Sequence, residues 1–127
     1  MLSYLAVGLG GAIGSCLRYF ITDLAGAKHP AFPFGTLFSN ILAGLLIGFI
    51  LEFNRQSNIF SENMKVFLTT GFLGGLSTFS TFSAETIYLF KNGEYLLSFI
   101  NIAANLFLSF SGVIAGIFLA KFISKAI

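Results

Sequence analysis

Residues 95–120 contain no charged side chain, and the apolar run continues to residue 123. A stretch this long exceeds the roughly 20 apolar residues that a helix needs to cross the hydrocarbon core of a bilayer. Three more apolar segments, each near or above that length, precede it. The four are read as helices over about 2–24, 36–53, 62–90 and 95–123. The turn AGAKHPAFPFG follows the first, where Pro30 and Pro33 exclude helix continuation. The polar linker NRQSNIFSEN follows the second, with Ser61 marking a helix start, and KNGEY makes a tight turn before the fourth. Charged residues make up 9% of the 127, against about 25% in a soluble domain. Such a chain cannot cover its surface in water. The expected fold is a single all-α membrane domain spanning residues 1–127.

The composition also excludes functions. The net charge of +2 is too small to point to a nucleic-acid partner. A single cysteine, Cys16, rules out an internal disulfide, and with His29 the sole histidine there is no Cys/His metal cluster. The chain has no Walker-type glycine loop for a nucleotide. No histidine sits in an apolar segment to serve a catalytic triad, so an enzyme is not expected. Residues 25–27, Ala-Gly-Ala, fit a small-x-small cleavage site, but no Lys or Arg precedes the apolar run. The first segment therefore reads as a retained membrane helix rather than a signal peptide.

Each segment carries one pair of glycines four residues apart: Gly10/Gly14, Gly44/Gly48, Gly71/Gly75 and Gly112/Gly116. Such pairs flatten one helix face and let backbones approach closely. With four crossings, Arg55, Lys65, Lys121 and Lys125 fall on one side and Arg18, Lys28 and Lys91 on the other. This near balance gives almost no positive-inside bias. It fits dual topology, with two copies paired antiparallel. Four helices alone leave no room for a pore, so a conducted species would pass along a homo-oligomer interface.

Polar residues line up where lipid is expected. Thr36, Asn40, Gly44 and Gly48 form one stripe on the second helix. Asn101, Asn105 and Ser109 form another on the fourth, continued by Gly112 and Gly116. Thr78, Thr81 and Glu85 form a third, beside Phe79 and Phe82. For any one of these residues, interhelical glue or packing is an equally good account. Three stripes together favour a lined path, since intramembrane polar groups face protein or water. Hydroxyls and amide N–H groups are donors, and phenylalanine ring edges carry partial positive charge. Such a lining suits a small, strongly hydrated anion.

The densest polar cluster is GGLSTFSTFS, residues 74–83. Two glycines followed by Ser and Thr weaken a helix, and a break is expected near residues 74–78. Irregular backbone at membrane depth is tolerated where it is buried in protein or lines a cavity, and freed carbonyls there coordinate cations.

GGLSTFSTFSAE (74–85), GTLFSN (35–40) and GGAIGSCLRY (10–19) resemble the signature motifs of the Fluc, or CrcB, fluoride channels. The resemblance spans the whole chain. It implies a passive, fluoride-selective channel that lowers cytoplasmic fluoride and protects against its toxicity. The implied architecture is an antiparallel dual-topology homodimer in a bacterial-type plasma membrane, with four transmembrane helices per copy and a break in the third. It further implies a structural Na⁺ at the dimer centre, held by the backbone carbonyls of Gly74 and Ser77 and not transported. Phe79 and Phe82 match the pore phenylalanines and Asn40 the pore asparagine. Ser80, Thr81, Ser83 and Glu85 match a polar track, and Arg18 matches a vestibule arginine. Asn105 and Ser109 join the fluoride route by position. The alternative is a small dual-topology proton-coupled multidrug exporter, which would need a titratable carboxylate in mid-helix. A non-transporting assembly subunit would account for the glycine pairs but not for the stripes.

Overall fold

The computed structural model describes residues 1–26 and 31–126. Lys28, His29 and Pro30, in the turn expected after the first helix, lie outside the described residues. Helix α1 spans Leu2–Gly26 and α2 spans Phe34–Ser57. Three short pieces follow: α3 (Glu62–Val66), a π-helical turn (Phe67–Leu73) and α4 (Gly74–Leu76). Helices α5 (Phe79–Lys91) and α6 (Tyr95–Ala126) complete the chain. Among the described residues, α1, α2 and α6 are each long and apolar enough to cross a membrane.

The boundaries have local causes. Helix α2 runs one turn past the end read at residue 53. Glu52 and Arg55 pair along the helix at 2.7 Å instead of ending it, and Gln56 donates to the same carboxylate at 2.7 Å. The chain leaves α2 at Asn58, whose φ of 49° is a left-handed cap and whose N–H reaches the Asn54 carbonyl. Ser61 caps α3 by accepting the Met64 N–H at 3.3 Å. Gly93, at φ 81°, makes the turn into α6.

The two glycines of the central motif are not where the helix fails. Gly74 is helical at φ −65°, ψ −35°, and the chain becomes extended at Ser77 (ψ 154°) and Thr78 (ψ 114°). Close approach explains the second glycine. A Cβ on Gly75 would stand 2.5 Å from the Gly11 carbonyl oxygen and 3.0 Å from the Ser15 nitrogen, both on α1. Gly10 and Gly14 press back against the backbone of Phe67, Gly71, Phe72 and Leu76. The same arrangement recurs between α2 and α6. Gly44 and Gly48 meet the Ser109 and Val113 carbonyls, while Gly112 and Gly116 meet those of Ile41 and Leu45. The four glycine pairs thus make two backbone-to-backbone seams.

Packing is inverted relative to a water-soluble fold. Thr36, Ser39, Thr78, Thr86, Ser98, Asn101 and Asn105 are buried, whereas Phe99, Phe107, Phe110, Phe118 and Phe122 on α6 stand exposed. Lipid tails are as apolar as leucine, so polar groups gain most from facing inward, where they find partners. The apolar core is small: Ala43, Leu73 and Leu76, flanked by Leu17, Ile21, Leu42, Leu46 and Phe72.

Candidate functional site

The break between α4 and α5 organises the polar interior. Extending Ser77 and Thr78 removes the donors that a continuous helix would supply to the preceding carbonyls. The Thr78 N–H would have gone to Gly74; it goes instead to Asn40 Oδ1 at 2.8 Å. The Thr81 N–H would have gone to Ser77; it goes to Thr78 Oγ1 at 3.2 Å, which caps α5. The Gly75 carbonyl loses its helical donor too and accepts from Arg18 Nε at 3.0 Å. Arg18 also reaches Thr81 Oγ1, at 3.5 Å. The guanidinium thereby serves the broken backbone directly.

Gly74 and Ser77 therefore present main-chain oxygens without helical donors. The Ser77 hydroxyl is spent, donating to the Leu73 carbonyl at 2.9 Å. No group of three or more His, Cys, Asp or Glu able to hold a metal occurs among the described residues. A cation here would meet neutral hard oxygens only, a donor set suited to Na⁺ and unsuited to a thiophilic metal.

A groove of about 340 Å³ opens beside the break. Its walls bring together Asn40 from α2, Gly74, Ser77, Phe79 and Phe82 from the broken segment, and Asn105 and Ser109 from α6. None of the residues lining it is charged. The Phe79 and Phe82 rings stand 5.5 Å apart, tilted by 57°. Their surroundings differ: Phe82 is 8% exposed and Phe79 is 76% exposed. The Ser109 hydroxyl is buried and finds no partner among the described residues.

The other expected residues fall beside this groove. Arg18 and Thr81 line a neighbouring recess that shares Thr78 with it. Glu85 lies in a third, which shares the wall residues Thr22 and Thr36 with the second. Thr36 Oγ1 donates to Glu85 Oε1 at 2.7 Å, and Glu85 Oε2 is buried without a partner among the described residues. Ser80 is exposed, with its hydroxyl 3.3 Å from that of Thr78. Ser83 turns its hydroxyl back to the Phe79 carbonyl at 2.8 Å.

The polar interior extends beyond the expected residues. Asn40 Nδ2 donates to Asn105 Oδ1 at 2.8 Å, and Asn105 Nδ2 donates to Asn101 Oδ1 at 3.0 Å. Asn101 Nδ2 continues to Thr86 Oγ1 at 2.9 Å. Asn101 was visible in the stripe of the fourth helix. Thr86 was not, because it stands next to the more conspicuous Glu85, and its link to α6 is a tertiary contact.

These features define a helical integral membrane protein built around an uncharged, donor-rich groove at a broken helix. The family model described as "CrcB-like protein, Camphor Resistance (CrcB)" matches residues 5–117. The chain belongs to the CrcB family, the fluoride-channel family also called Fluc. A Clostridium perfringens protein named "Fluoride-specific ion channel FluC" is 52% identical over 122 residues, covering 95% of each chain. Proteins of the same name from Clostridium novyi and Pyrococcus abyssi are 48% and 41% identical, over 92% and 89% of this chain and 92% and 91% of theirs.

Proposed function

We propose that this protein is a fluoride channel, not an enzyme, that lets fluoride leave the cytoplasm passively. The groove at the break carries the reading. It offers an amide donor from Asn40, an unspent hydroxyl at Ser109 and the Phe79–Phe82 ring pair, with no cationic side chain to trap an anion. Partial charges of this kind replace an anion's water while allowing it to leave. Fluoride enters acidified surroundings as HF, dissociates in a more alkaline cytoplasm and is then trapped. A negative-inside potential drives the anion out through an open path.

The working unit is an antiparallel homodimer in a bacterial-type plasma membrane. Each copy crosses four times, through α1, α2, the α3–α5 segment and α6. The open groove and the exposed Phe79 ring support this unit, because a polar path facing lipid tails would be unusable and a second copy closes it. At the dimer centre the carbonyls of Gly74 and Ser77 hold a structural Na⁺, which supplies fixed positive charge and ties the broken helices together. In one copy, Arg18 holds the Gly75 carbonyl and Asn40 holds the Thr78 N–H, so the break keeps its shape. Thr81, Glu85, Ser80 and Ser83 continue the polar surface of α5 away from the groove. The exporter alternative gains nothing from these observations, since Glu85, the carboxylate on α5, lies outside the groove and the relatives are named as channels.

The test is purified protein in liposomes loaded with fluoride, followed by a fluoride electrode, with chloride-loaded vesicles as control. Rapid fluoride efflux without chloride efflux is expected. Equal leak of both ions, or efflux only with a proton gradient, would overturn the reading.

A further inference from the structure

The buried amides form a single hydrogen-bonded line, and all its bonds point the same way. The Thr78 N–H donates to Asn40 Oδ1 at 2.8 Å, and Asn40 Nδ2 donates to Asn105 Oδ1 at 2.8 Å. Asn105 Nδ2 donates to Asn101 Oδ1 at 3.0 Å, and Asn101 Nδ2 to Thr86 Oγ1 at 2.9 Å. Thr86 Oγ1 then donates to the Phe82 carbonyl at 2.8 Å.

Two backbone groups fix the direction. A backbone N–H can only donate and a backbone carbonyl can only accept. The Thr78 N–H holds Asn40 Oδ1, and the Asn101 carbonyl accepts from Asn105 Nδ2 at 3.0 Å, so each of these two amides has one workable orientation. Turning either over would set oxygen against oxygen on one side and donor against donor on the other. Asn101 is 0% exposed, Asn105 5% and Thr86 7%, so water cannot repair such a mismatch.

Asn40 is where the line meets the groove. Its oxygen is committed to Thr78, and its nitrogen carries the free chemistry. That nitrogen has one short bond, to Asn105, and one long approach of 3.4 Å to the Thr78 carbonyl. The long contact is the one an anion can replace.

We infer that Thr86 and Asn101 are positioning residues, which hold the Asn105 amide, and through it the Asn40 N–H, in place beside the anion path. Neither residue lines the groove. Both act through the amides between them. Without the Thr86 hydroxyl, the Asn101 nitrogen loses its acceptor, and the side chain that Asn105 bonds is no longer held. The inference rests on the fluoride-channel reading for its consequence, but the placement of the amides can be measured separately.

The experiment compares wild type with Thr86→Val, which keeps the shape and removes the hydroxyl, and Thr86→Ser, which keeps the hydroxyl. Asn101→Leu is the second route to the same break should Thr86→Val fail to yield folded protein. Two readouts are taken on the same preparations: fluoride efflux from liposomes, and side-chain amide signals of ¹⁵N-asparagine-labelled protein in detergent. Thr86→Val should shift the Asn40 and Asn105 side-chain signals, speed their exchange with D₂O and slow fluoride efflux about tenfold, the worth of one lost hydrogen bond. Thr86→Ser should restore both. Unchanged Asn40 signals in both Thr86→Val and Asn101→Leu would overturn the inference, whatever their stability. So would a Thr86→Ser variant as impaired as Thr86→Val, since that would make the role one of packing. A wild type that passes no fluoride would remove the channel reading while leaving the amide signals to judge the line.

Discussion

Gly74 and Gly75 are adjacent, both helical, and belong to the same motif, yet they should respond oppositely to an added methyl group. Within one copy, a Cβ on Gly74 would meet only the Thr69 carbonyl oxygen, at 3.8 Å, which is ordinary contact. A Cβ on Gly75 would lie 2.5 Å from the Gly11 oxygen, 3.0 Å from the Ser15 nitrogen and 3.1 Å from the Gly11 Cα. Ordinary contact begins at 3.4 Å, so α1 would have to retreat by 0.9 Å (3.4 − 2.5). All three atoms are backbone, and no side chain can swing aside to absorb the move. Overpacking of this kind costs about 1–3 kcal/mol. Alanine favours helix over glycine by about 1 kcal/mol at either position, so that contribution cancels in the comparison. Gly75→Ala should therefore be less stable than Gly74→Ala by about 1–3 kcal/mol. Retreat of α1 would also lengthen the Arg18–Gly75 hydrogen bond. The assay is the fraction of monodisperse protein left after heating in detergent, with Gly8→Ala as a control, since nothing lies within 4 Å of its added Cβ. A Gly75 variant with the same midpoint as the Gly8→Ala control would refute the claim that α1 and α4 meet backbone to backbone.

Ser77→Ala should be mild, because the hydroxyl only bonds back to Leu73; a loss of about 0.5–1.5 kcal/mol in thermal stability and continued Na⁺-dependent dimer recovery are expected. Phe82→Ile and Phe79→Leu should leave a folded protein, each costing less than about 1.5 kcal/mol, while fluoride efflux drops strongly. Wild-type efflux from both would remove the rings from the mechanism. Asn40→Asp should abolish efflux, since it removes the donor to Asn105 and sets a carboxylate beside the anion; retained efflux would take the path away from Asn40. Several lysines added at one terminus should force one orientation and silence the channel, and co-expression of an oppositely biased copy should restore it. Full activity from a uniformly oriented population would contradict the antiparallel dimer.

The helical, lipid-facing character was readable because scarcity of charge is a property of each segment by itself. The glycine spacing was readable for a related reason: a period of four puts both glycines on one face whatever lies opposite. Partners were not readable. Nothing in the sequence says that Gly10/Gly14 meets Gly71/Gly75 while Gly44/Gly48 meets Gly112/Gly116. The break was legible to the stretch 74–78, and it falls at the far end of that stretch, at Ser77 and Thr78. Glycine pairs look like weak points, whereas here Gly75 is kept small by α1, and the chain fails two residues later, where Asn40 offers the Thr78 N–H a better acceptor. Within the site, the stripes pointed to Asn40 and Asn105, which meet at 2.8 Å. Thr86 stayed hidden because its significance depends on α6, which is remote in sequence.

The π-helical turn at Phe67–Leu73 has a consequence for insertions and deletions. A π turn holds one residue more than the α-helical path it replaces, and one residue is about 100° of rotation around a helix axis. The turn therefore works as a phase setter between the capped start of α3 and the motif beyond it. Removing one residue from this stretch should relax it to ordinary helix with every backbone bond intact, yet leave α3 dialled about 100° away from its present face. Chain length in this segment is thus a coded quantity, as specific as any side chain near the break. A related chain that lost one residue here would need a compensating residue elsewhere between Ser61 and Ser77 to keep α3 on its present face.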